Sequence, residues 1–226
     1  MSRSMWIESR GSGPAVCFLH GLDSDSDVWT AVVDMLPDHR CVTIDLPGHG
    51  RAPTPTDPQA YARPSVLTGL DTVLADIGEP TVLVGHSLGG YLAMAHAITR
   101  PGLLAGLVLV ATGPGFRDGD AREEWNDRVR NNARDYGVDE IAATIALHVD
   151  SLVIDQMPEL TLPIRLVIGD QDRAYLGAND YMERKLRNVE RTTVTGGRHY
   201  VMKSHPEAVA AAVRSLTGHR EAPTPP

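Results

Sequence analysis

Short apolar runs rich in β-branched residues alternate along this chain with segments whose apolar residues recur at helical spacing. Most of these runs are apolar almost throughout, which is typical of a strand covered on both faces of a parallel sheet. The predicted strands are residues 15–20, 41–46, 81–85, 107–111, 164–169 and 191–195. The alternation therefore predicts an α/β fold, with a mostly parallel central sheet and helices on both faces.

The segments between the strands carry the signals of packing helices. Residues 28–36 and 66–77 each place their large apolar side chains on one face. The last helix is predicted to begin at Ser204, because Ser204 and Glu207 form a Ser-x-x-Glu capping box with Pro206 in the first turn. Gly218 is predicted to end this helix, and the proline-rich tail 221–226 is predicted to be disordered.

One segment, residues 114–157, interrupts the alternation. It follows a strand, contains two helix-like pieces at 121–136 and 139–149, and returns to a strand at Ile164. We interpret it as a small helical insertion within a single domain that spans residues 1–226.

Composition narrows the range of partners. The chain has 226 residues, 42% of them hydrophobic, and a formal net charge of −8 without a basic cluster, which argues against binding to nucleic acid. Cys17 and Cys41 lie in apolar runs and outside any metal-ligand spacing. No segment reaches the ~20 apolar residues of a membrane span, and the first ten residues do not resemble a signal peptide. We expect a cytoplasmic protein with no membrane or nucleic-acid partner, no metal and no cofactor; the sequence sets no oligomeric state.

The sharpest local signal is the sequence Gly85-His86-Ser87-Leu88-Gly89, which lies between a predicted strand and a predicted helix. A bare G-x-S-x-G pattern turns up by chance in roughly one chain in ten at ordinary residue usage, so its position matters more than the pattern. At a strand-to-helix turn the pattern indicates a nucleophile elbow, in which flanking glycines permit a tight turn that exposes the serine hydroxyl. Ser87 is therefore the candidate nucleophile, and a glycine-rich turn with a capping serine is the structural alternative.

A serine hydroxyl needs a base, and the base needs an orienting acid. Among nine histidines His199 fits best, because it follows the last predicted strand and precedes the C-terminal helix. Asp170 and Asp172 both follow the strand before it, and we favour Asp172 because it lies deeper in the loop. Asp170 has the alternative role of a turn-forming aspartate. The chain order Ser87, Asp172, His199 is the order of a hydrolase triad.

Two further loops follow strands at the same predicted edge of the sheet. His20-Gly21-Leu22-Asp23 can offer the backbone N–H of Leu22 as an oxyanion donor, to pair with that of Leu88. The loop Asp45-Leu46-Pro47-Gly48-His49-Gly50 is interpreted as a structural turn, with His49 exposed to solvent.

Five ordered motifs, HGLDSDSDVW, DLPGHG, GHSLGG, GDQD and GGRHYVMKSHPEAV, together resemble the α/β-hydrolase family over most of the chain, from Cys17 to Leu216. The resemblance implies a catalytic triad of Ser87, Asp172 and His199 and an oxyanion hole formed by Leu22 and Leu88. It also implies that residues 114–157 form a lid. The chain before Ala15 is short for the family, which leaves room for fewer leading antiparallel strands.

The expected activity is hydrolysis of an ester or lactone of a small molecule through an acyl-enzyme on Ser87. Phe116, Trp125 and Tyr136 are candidate substrate contacts, with packing of the insertion against the core as their alternative role. Two other functions stay open: a carbon–carbon bond hydrolase or proton-abstracting lyase with the same triad, and a hydrolase-like sensor that binds a small molecule.

Overall fold

The computed structural model describes residues 4–135 and 137–218. Its centre is one sheet of seven strands with the spatial order β1-β3-β2-β4-β5-β6-β7. The strands are β1 (Trp6–Arg10), β2 (Ala15–Leu19), β3 (Arg40–Asp45), β4 (Thr81–His86), β5 (Leu104–Val110), β6 (Ile164–Gly169) and β7 (Val189–Val194). All pairings are parallel except that of β1 with β3, which places Trp6 opposite Asp45.

The six predicted strands are all present, and β1 is an addition. Its sequence WIESR lacks an apolar run, and its residues are half-buried or exposed because it lies at the edge of the sheet. An edge strand that buries little apolar surface leaves no strong periodic signal. One leading antiparallel strand thus precedes Ala15 within the described part of the chain.

Helices cover both faces of the sheet. They are α1 (Thr30–Asp34), α2 (Arg63–Ile77), α3 (Leu88–Thr99), α4 (Gly119–Asn132), α5 (Glu140–Ala143), α6 (Leu152–Gln156), α7 (Leu176–Lys185), α8 (Val201–Ser204) and α9 (Pro206–Thr217). Short 3-10 helices are Ser26–Trp29, Pro58–Tyr61, Pro101–Leu103, Thr144–Ala146 and Met157–Glu159.

The core forms two layers because successive strand residues face opposite sides. On β2, Cys17 and Leu19 pack in the layer beneath α2 and α3, whereas Val16 and Phe18 pack in the layer beneath α1 and α9. Strand β4 is buried at every position, as its central place in the sheet requires. The predicted α/β fold class, a mostly parallel sheet with helices on both faces, is confirmed.

The predicted capping box at the last helix is wrong. Ser204 is the final residue of the short helix α8, and α9 begins at Pro206 with His205 as its N-cap and no side-chain cap. The Ser204 hydroxyl lies 2.8 Å from His205 Nδ1 and 3.4 Å from the Val201 carbonyl oxygen. Because Ser204 completes a preceding turn of helix, its side chain is not available to the first turn of α9. Gly218 caps the end of α9 as predicted, and residues 221–226 lie outside the described residues.

The segment 114–157 carries α4, α5 and α6 between β5 and β6. The first predicted helical piece corresponds to α4, whereas the second is shorter than predicted and is followed by α6, which no sequence signal indicated. Within the described ranges, none of the helices combines the length and apolarity needed to cross a membrane.

Candidate active site

Ser87 occupies the strained turn that joins β4 to α3. Its φ of 50° and ψ of −113° lie where few residues other than glycine are found. A Cβ on Gly85 would come within 2.4 Å of the Gly89 backbone, and a Cβ on Gly89 within 2.4 Å of the Leu19 carbonyl oxygen. The two flanking glycines are therefore required by close backbone approach.

Neighbouring strands and loops hold this turn in place. The Ser87 N–H donates to the Val110 carbonyl oxygen over 3.0 Å, and the Thr112 hydroxyl donates to the Ser87 carbonyl oxygen over 2.6 Å. Leu88 begins α3, so its N–H belongs to the first turn, where intrahelical acceptors are lacking and the helix dipole favours negative charge. The arrangement can stabilise an oxyanion beside the Ser87 hydroxyl.

His199 and Asp172 come from the loops that follow β7 and β6. The Nδ1 atom of His199 lies 2.8 Å from Oδ2 of Asp172, whose side chain is 4% exposed. Asp170 instead accepts a hydrogen bond from the Gly196 N–H over 2.8 Å and lies at the surface. The structure thus brings Asp172 to His199, whereas Asp170 joins its own loop to the loop after β7.

Two aromatic rings flank the His199 imidazole. The Tyr175 ring stacks on it with centroids 4.9 Å apart and an angle of 19° between planes. His86, which is fully buried, lies 4.7 Å away by ring centroids, and its Nε2 is 3.0 Å from the His199 carbonyl oxygen. Burial and the nearby His199 hold the pKa of His86 well below its ordinary value, so His86 is neutral. These contacts restrict the orientation of the imidazole.

The direction of the Leu22 N–H is set by a buried histidine. His20 Nε2 accepts from the Leu46 N–H over 3.0 Å, so the ring hydrogen of neutral His20 is on Nδ1, which donates to the Gly21 carbonyl oxygen over 2.6 Å. Burial, the largest cause, lowers the pKa of His20 to about 4 and keeps it neutral. Since a trans peptide directs its C=O and N–H oppositely, this bond also fixes the Leu22 N–H.

The sequence suggested that His49 is exposed to solvent. This prediction is wrong, because His49 is buried, with 5% of its surface accessible. Its Nε2 lies 2.7 Å from the Leu22 carbonyl oxygen and its Nδ1 lies 2.9 Å from the Pro47 carbonyl oxygen. Its ring packs 5.2 Å from that of His20. The loop after β3 therefore folds back over the loop after β2, a long-range contact without a local sequence signal.

Ser87, Leu88 and His199 open onto a cavity of about 540 Å³ that also contacts Leu22. Phe116 and Trp125 line the opposite wall, which the insertion supplies, with their ring centroids 6.0 Å apart. Trp125 also packs against the core and donates through Nε1 to the Ala146 carbonyl oxygen over 3.3 Å. Both roles considered for Trp125 are compatible with this position, whereas Tyr136 lies outside the described residues.

Three aromatic side chains of the cavity wall were missed by sequence analysis. Tyr91 follows Ser87 by one helical turn, and its ring meets that of His148 edge-on at 4.4 Å. Tyr175 follows Asp172 by three residues and is the third. The spacing of Tyr91 from Ser87 was a usable signal, because residues four apart share a helix face. His148 had none, since only the fold of the insertion places it here.

Behind this wall lies an ion pair. Arg63 donates to both carboxylate oxygens of Asp150, over 2.8 Å and 2.5 Å, and to the Tyr91 hydroxyl over 3.1 Å. Burial and the Arg63 cation lower the pKa of His148 to about 4, so His148 is neutral at the cavity. In the portion of the chain that the structure describes, no group of three or more His, Cys, Asp or Glu side chains could hold a metal ion.

Comparison with known proteins identifies the fold family. A family model described as alpha/beta hydrolase fold matches residues 14–188. The chain is similar to a 2-succinyl-6-hydroxy-2,4-cyclohexadiene-1-carboxylate synthase of Enterobacter sp. (strain 638), with 33% identity over 132 residues, 52% of this chain and 47% of the relative. It is also similar to a pimeloyl-[acyl-carrier protein] methyl ester esterase of Xylella fastidiosa (strain M12), with 38% identity over 122 residues, 54% of this chain and 44% of the relative.

The matches thus span less than half the length of these curated relatives. Among solved structures, MenH from S. aureus superposes with a TM-score of 0.82 at 18% identity, covering 93% of this chain and 97% of that one. At that identity the likeness concerns the fold.

Proposed function

The chain belongs to the α/β-hydrolase fold family, and from this premise we propose that it is a serine hydrolase that cleaves a carboxylic ester or lactone of a small molecule. Ser87 is the nucleophile, His199 the general base and Asp172 the acid that orients it. The observation that carries the proposal is the contact of His199 with Asp172 at a cavity that also exposes the strained Ser87.

In the first half-reaction the Ser87 hydroxyl attacks the ester carbonyl carbon while His199 Nε2 takes its proton. The negative charge that develops on the carbonyl oxygen is stabilised by the N–H groups of Leu22 and Leu88. Asp172, bonded to Nδ1, holds the ring with Nε2 toward the serine and stabilises the imidazolium. Proton transfer from His199 to the leaving oxygen then releases the alcohol and leaves an acyl group on Ser87.

In the second half-reaction His199 removes a proton from water, which attacks the acyl-enzyme. Collapse of the tetrahedral intermediate returns the proton to Ser87 and releases the carboxylic acid. The fixed peptide between Gly21 and Leu22 serves both halves, because the same oxyanion forms twice. No step of this mechanism uses a metal or an organic cofactor.

A fluorophosphonate probe tests the nucleophile directly, because it phosphonylates an activated serine. We expect the wild-type protein to be labelled and Ser87→Ala to be unlabelled. Ser204→Ala makes the same chemical change at an exposed serine of α8 and serves as the matched control. Labelling that survives in Ser87→Ala would remove Ser87 from the mechanism.

A second candidate, proton-abstracting lyase chemistry or cleavage of a carbon–carbon bond, is supported by the similarity to the synthase. The same His199 and Ser87 could then remove a proton from carbon. A simple p-nitrophenyl ester tested against a vinylogous diketone separates the two activities. Rapid turnover of the ester favours the esterase, whereas turnover of the diketone alone favours the second candidate. Thermal stabilisation by either compound without turnover would instead indicate a sensor.

A further inference from the structure

Helix α4 presents charge differently on its outer face and on its cavity face. On the outer face Arg130 donates to Glu123 over 2.6 Å and to Asp127 over 2.9 Å. The hydrogen bonds that Glu123 accepts from Arg130 and Asn126 lower its pKa. These side chains are largely exposed, with Arg130 46% and Asp127 63% accessible. Glu123 and Asp127 are therefore paired with Arg130 within the helix.

The cavity face of α4 carries Trp125, Arg128 and Val129. The Arg128 guanidinium carbon lies 5.9 Å from the centre of the Trp125 ring, which supports the cation over an aromatic face. Within the described residues, no carboxylate lies within 4.0 Å of a guanidinium nitrogen of Arg128. In a chain with a net charge of −8, an arginine on a cavity wall without an acidic partner is a distinctive feature.

The other ionisable side chains on the cavity wall do not neutralise Arg128. Asp23 belongs to the loop after β2, next to Leu22, and accepts a hydrogen bond from the Tyr200 hydroxyl. Asp150, behind the wall, is held by both terminal nitrogens of Arg63. His148 is neutral because burial and Arg63 lower its pKa to about 4. Among the residues that line the cavity, Arg128 therefore gives the insertion wall a positive charge and Asp23 gives the strand-end wall a negative one.

We propose that the substrate is an ester that also carries a carboxylate, and that Arg128 binds this carboxylate at the insertion wall while Ser87 attacks the ester. The inference deepens the proposed function and rests on it. The guanidinium fork matches the two oxygens of a carboxylate, and the neighbouring Trp125 and Phe116 rings suit the intervening methylene groups. Asp23 repels a carboxylate from the strand-end wall and so favours one orientation of the substrate.

Matched pairs of esters test the inference. Monomethyl adipate and methyl hexanoate share a six-carbon acyl chain and differ in a terminal carboxylate. The pair 6-acetoxyhexanoate and hexyl acetate places the same difference on the alcohol side. We expect wild-type kcat/KM to favour the charged member of at least one pair, and the preference to weaken as salt is added because Arg128 is exposed.

Arg128→Gln removes the cation and keeps a polar side chain of moderate length. It should raise KM about tenfold for the preferred charged ester and leave its neutral partner within about twofold, the size of a charge-assisted hydrogen bond near solvent. Arg130→Gln makes the same change of net charge on the outer face of the same helix. It should alter KM for neither the charged nor the neutral ester. Equal effects of Arg128→Gln on both members of the preferred pair, or a wild-type preference for the neutral ester in both pairs, would overturn the inference.

A binding measurement separates failure of this inference from failure of the proposed function. Monomethyl adipate and 6-acetoxyhexanoate are titrated calorimetrically into Ser87→Ala, and into the double variant that also carries Arg128→Gln. If binding of either compound depends on Arg128 although the wild type hydrolyses no ester, the anion site stands and the esterase proposal fails. If esters are hydrolysed but neither compound's binding nor turnover depends on Arg128, the anion site fails alone.

Discussion

The two walls of the cavity are built in different ways. The strand-end wall consists of loops tied to a buried sheet, where a Cβ at Gly85 or Gly89 would collide with backbone 2.4 Å away. The insertion wall consists of short helices joined by exposed ion pairs, such as Arg117 with Asp155 over 2.7 Å, which contribute little to stability. The first wall is rigid by construction and holds the groups that we propose to react. The insertion wall can change its side chains without disturbing the groups on the strand-end wall.

The comparison implies that the strand-end wall sets the rate of the chemical step and the insertion wall sets which substrate is bound. Residues of the first wall are expected to act on kcat, because their groups contact the charge that forms during reaction. Residues of the second are expected to act on KM, because their contacts are similar before and during reaction.

The largest expected effect is that of Ser87→Ala, which should lower kcat by about 10⁶ because triad members act as a unit. Steady-state hydrolysis of a p-nitrophenyl ester measures it. KM should change little, since the cavity keeps its shape. A loss of less than about tenfold would mean that another group attacks the ester. The strand-end wall would then not owe its effect on kcat to Ser87.

Asp172→Asn should lower kcat by about 10⁴, because an amide stabilises the wrong tautomer of His199 and cannot stabilise the imidazolium. Asp170→Asn is the matched change two residues away, at a carboxylate that contacts the Gly196 N–H. It should leave kcat within about threefold, since an amide oxygen can accept the same hydrogen bond. Similar losses in both variants would contradict the assignment that the contact with His199 supports.

Two substitutions at His20 test whether the strand-end wall acts on kcat by fixing the direction of the Leu22 N–H. His20→Phe removes the hydrogen bond to the Gly21 carbonyl oxygen and should lower kcat about 10²-fold, because the Leu22 N–H then loses its fixed direction. His20→Asn keeps a donor at the position of Nδ1 and should recover part of the rate. A thermal unfolding scan of each variant separates this effect from a loss of fold. Equal kcat values in the two variants would show that orientation of the peptide is not the cause.

Each wall also contains a histidine whose pKa is lowered to about 4, His20 in one and His148 in the other. Between pH 6.5 and 4 the unfolded chain binds protons at these residues and the folded chain does not. The free energy of unfolding therefore falls as the pH is lowered through this window, by up to about 3 kcal/mol for buried His20. His148, whose pKa is lowered to the same value, should contribute a similar amount.

Urea unfolding at pH 7 and at pH 4.5 measures this difference. The wild type should lose stability at the lower pH, and His20→Asn should lose less, because the residue that takes up a proton on unfolding is gone. His148→Gln should reduce the loss by a similar amount. A loss that neither variant reduces would mean that other groups take up the protons on unfolding.

The smallest effect is expected at the insertion wall. Trp125→Ala should raise KM about tenfold and change kcat by no more than about threefold, because it removes apolar contact area and not a group that contacts the reacting atoms. Trp125→Phe keeps a ring beside Phe116, so its KM should lie between those of the wild type and Trp125→Ala. Kinetics with esters of increasing chain length measure both. A large loss in kcat with unchanged KM would mean that the insertion contributes to the chemical step.

The sequence by itself determined the features that depend on local sterics and periodicity. The apolar runs predicted six strands, and glycines around Ser87 predicted a tight turn, because both signals arise within a few residues. Because Asp170, Asp172 and His199 follow the last two predicted strands, the sequence also predicted that they lie at one edge of the sheet. Strand β1 was not predicted, because an edge strand buries too little apolar surface to leave a pattern in the sequence.

Only the tertiary structure decided which of those candidates meet. It placed Asp172 and not Asp170 at 2.8 Å from His199, and it buried His49 against the Leu22 carbonyl oxygen. It also turned Arg128 toward the cavity and Arg130 away from it, although both lie on one charged helix. These outcomes depend on how segments far apart in the chain pack together, and such packing is set by the whole core and not by the residues next to each site.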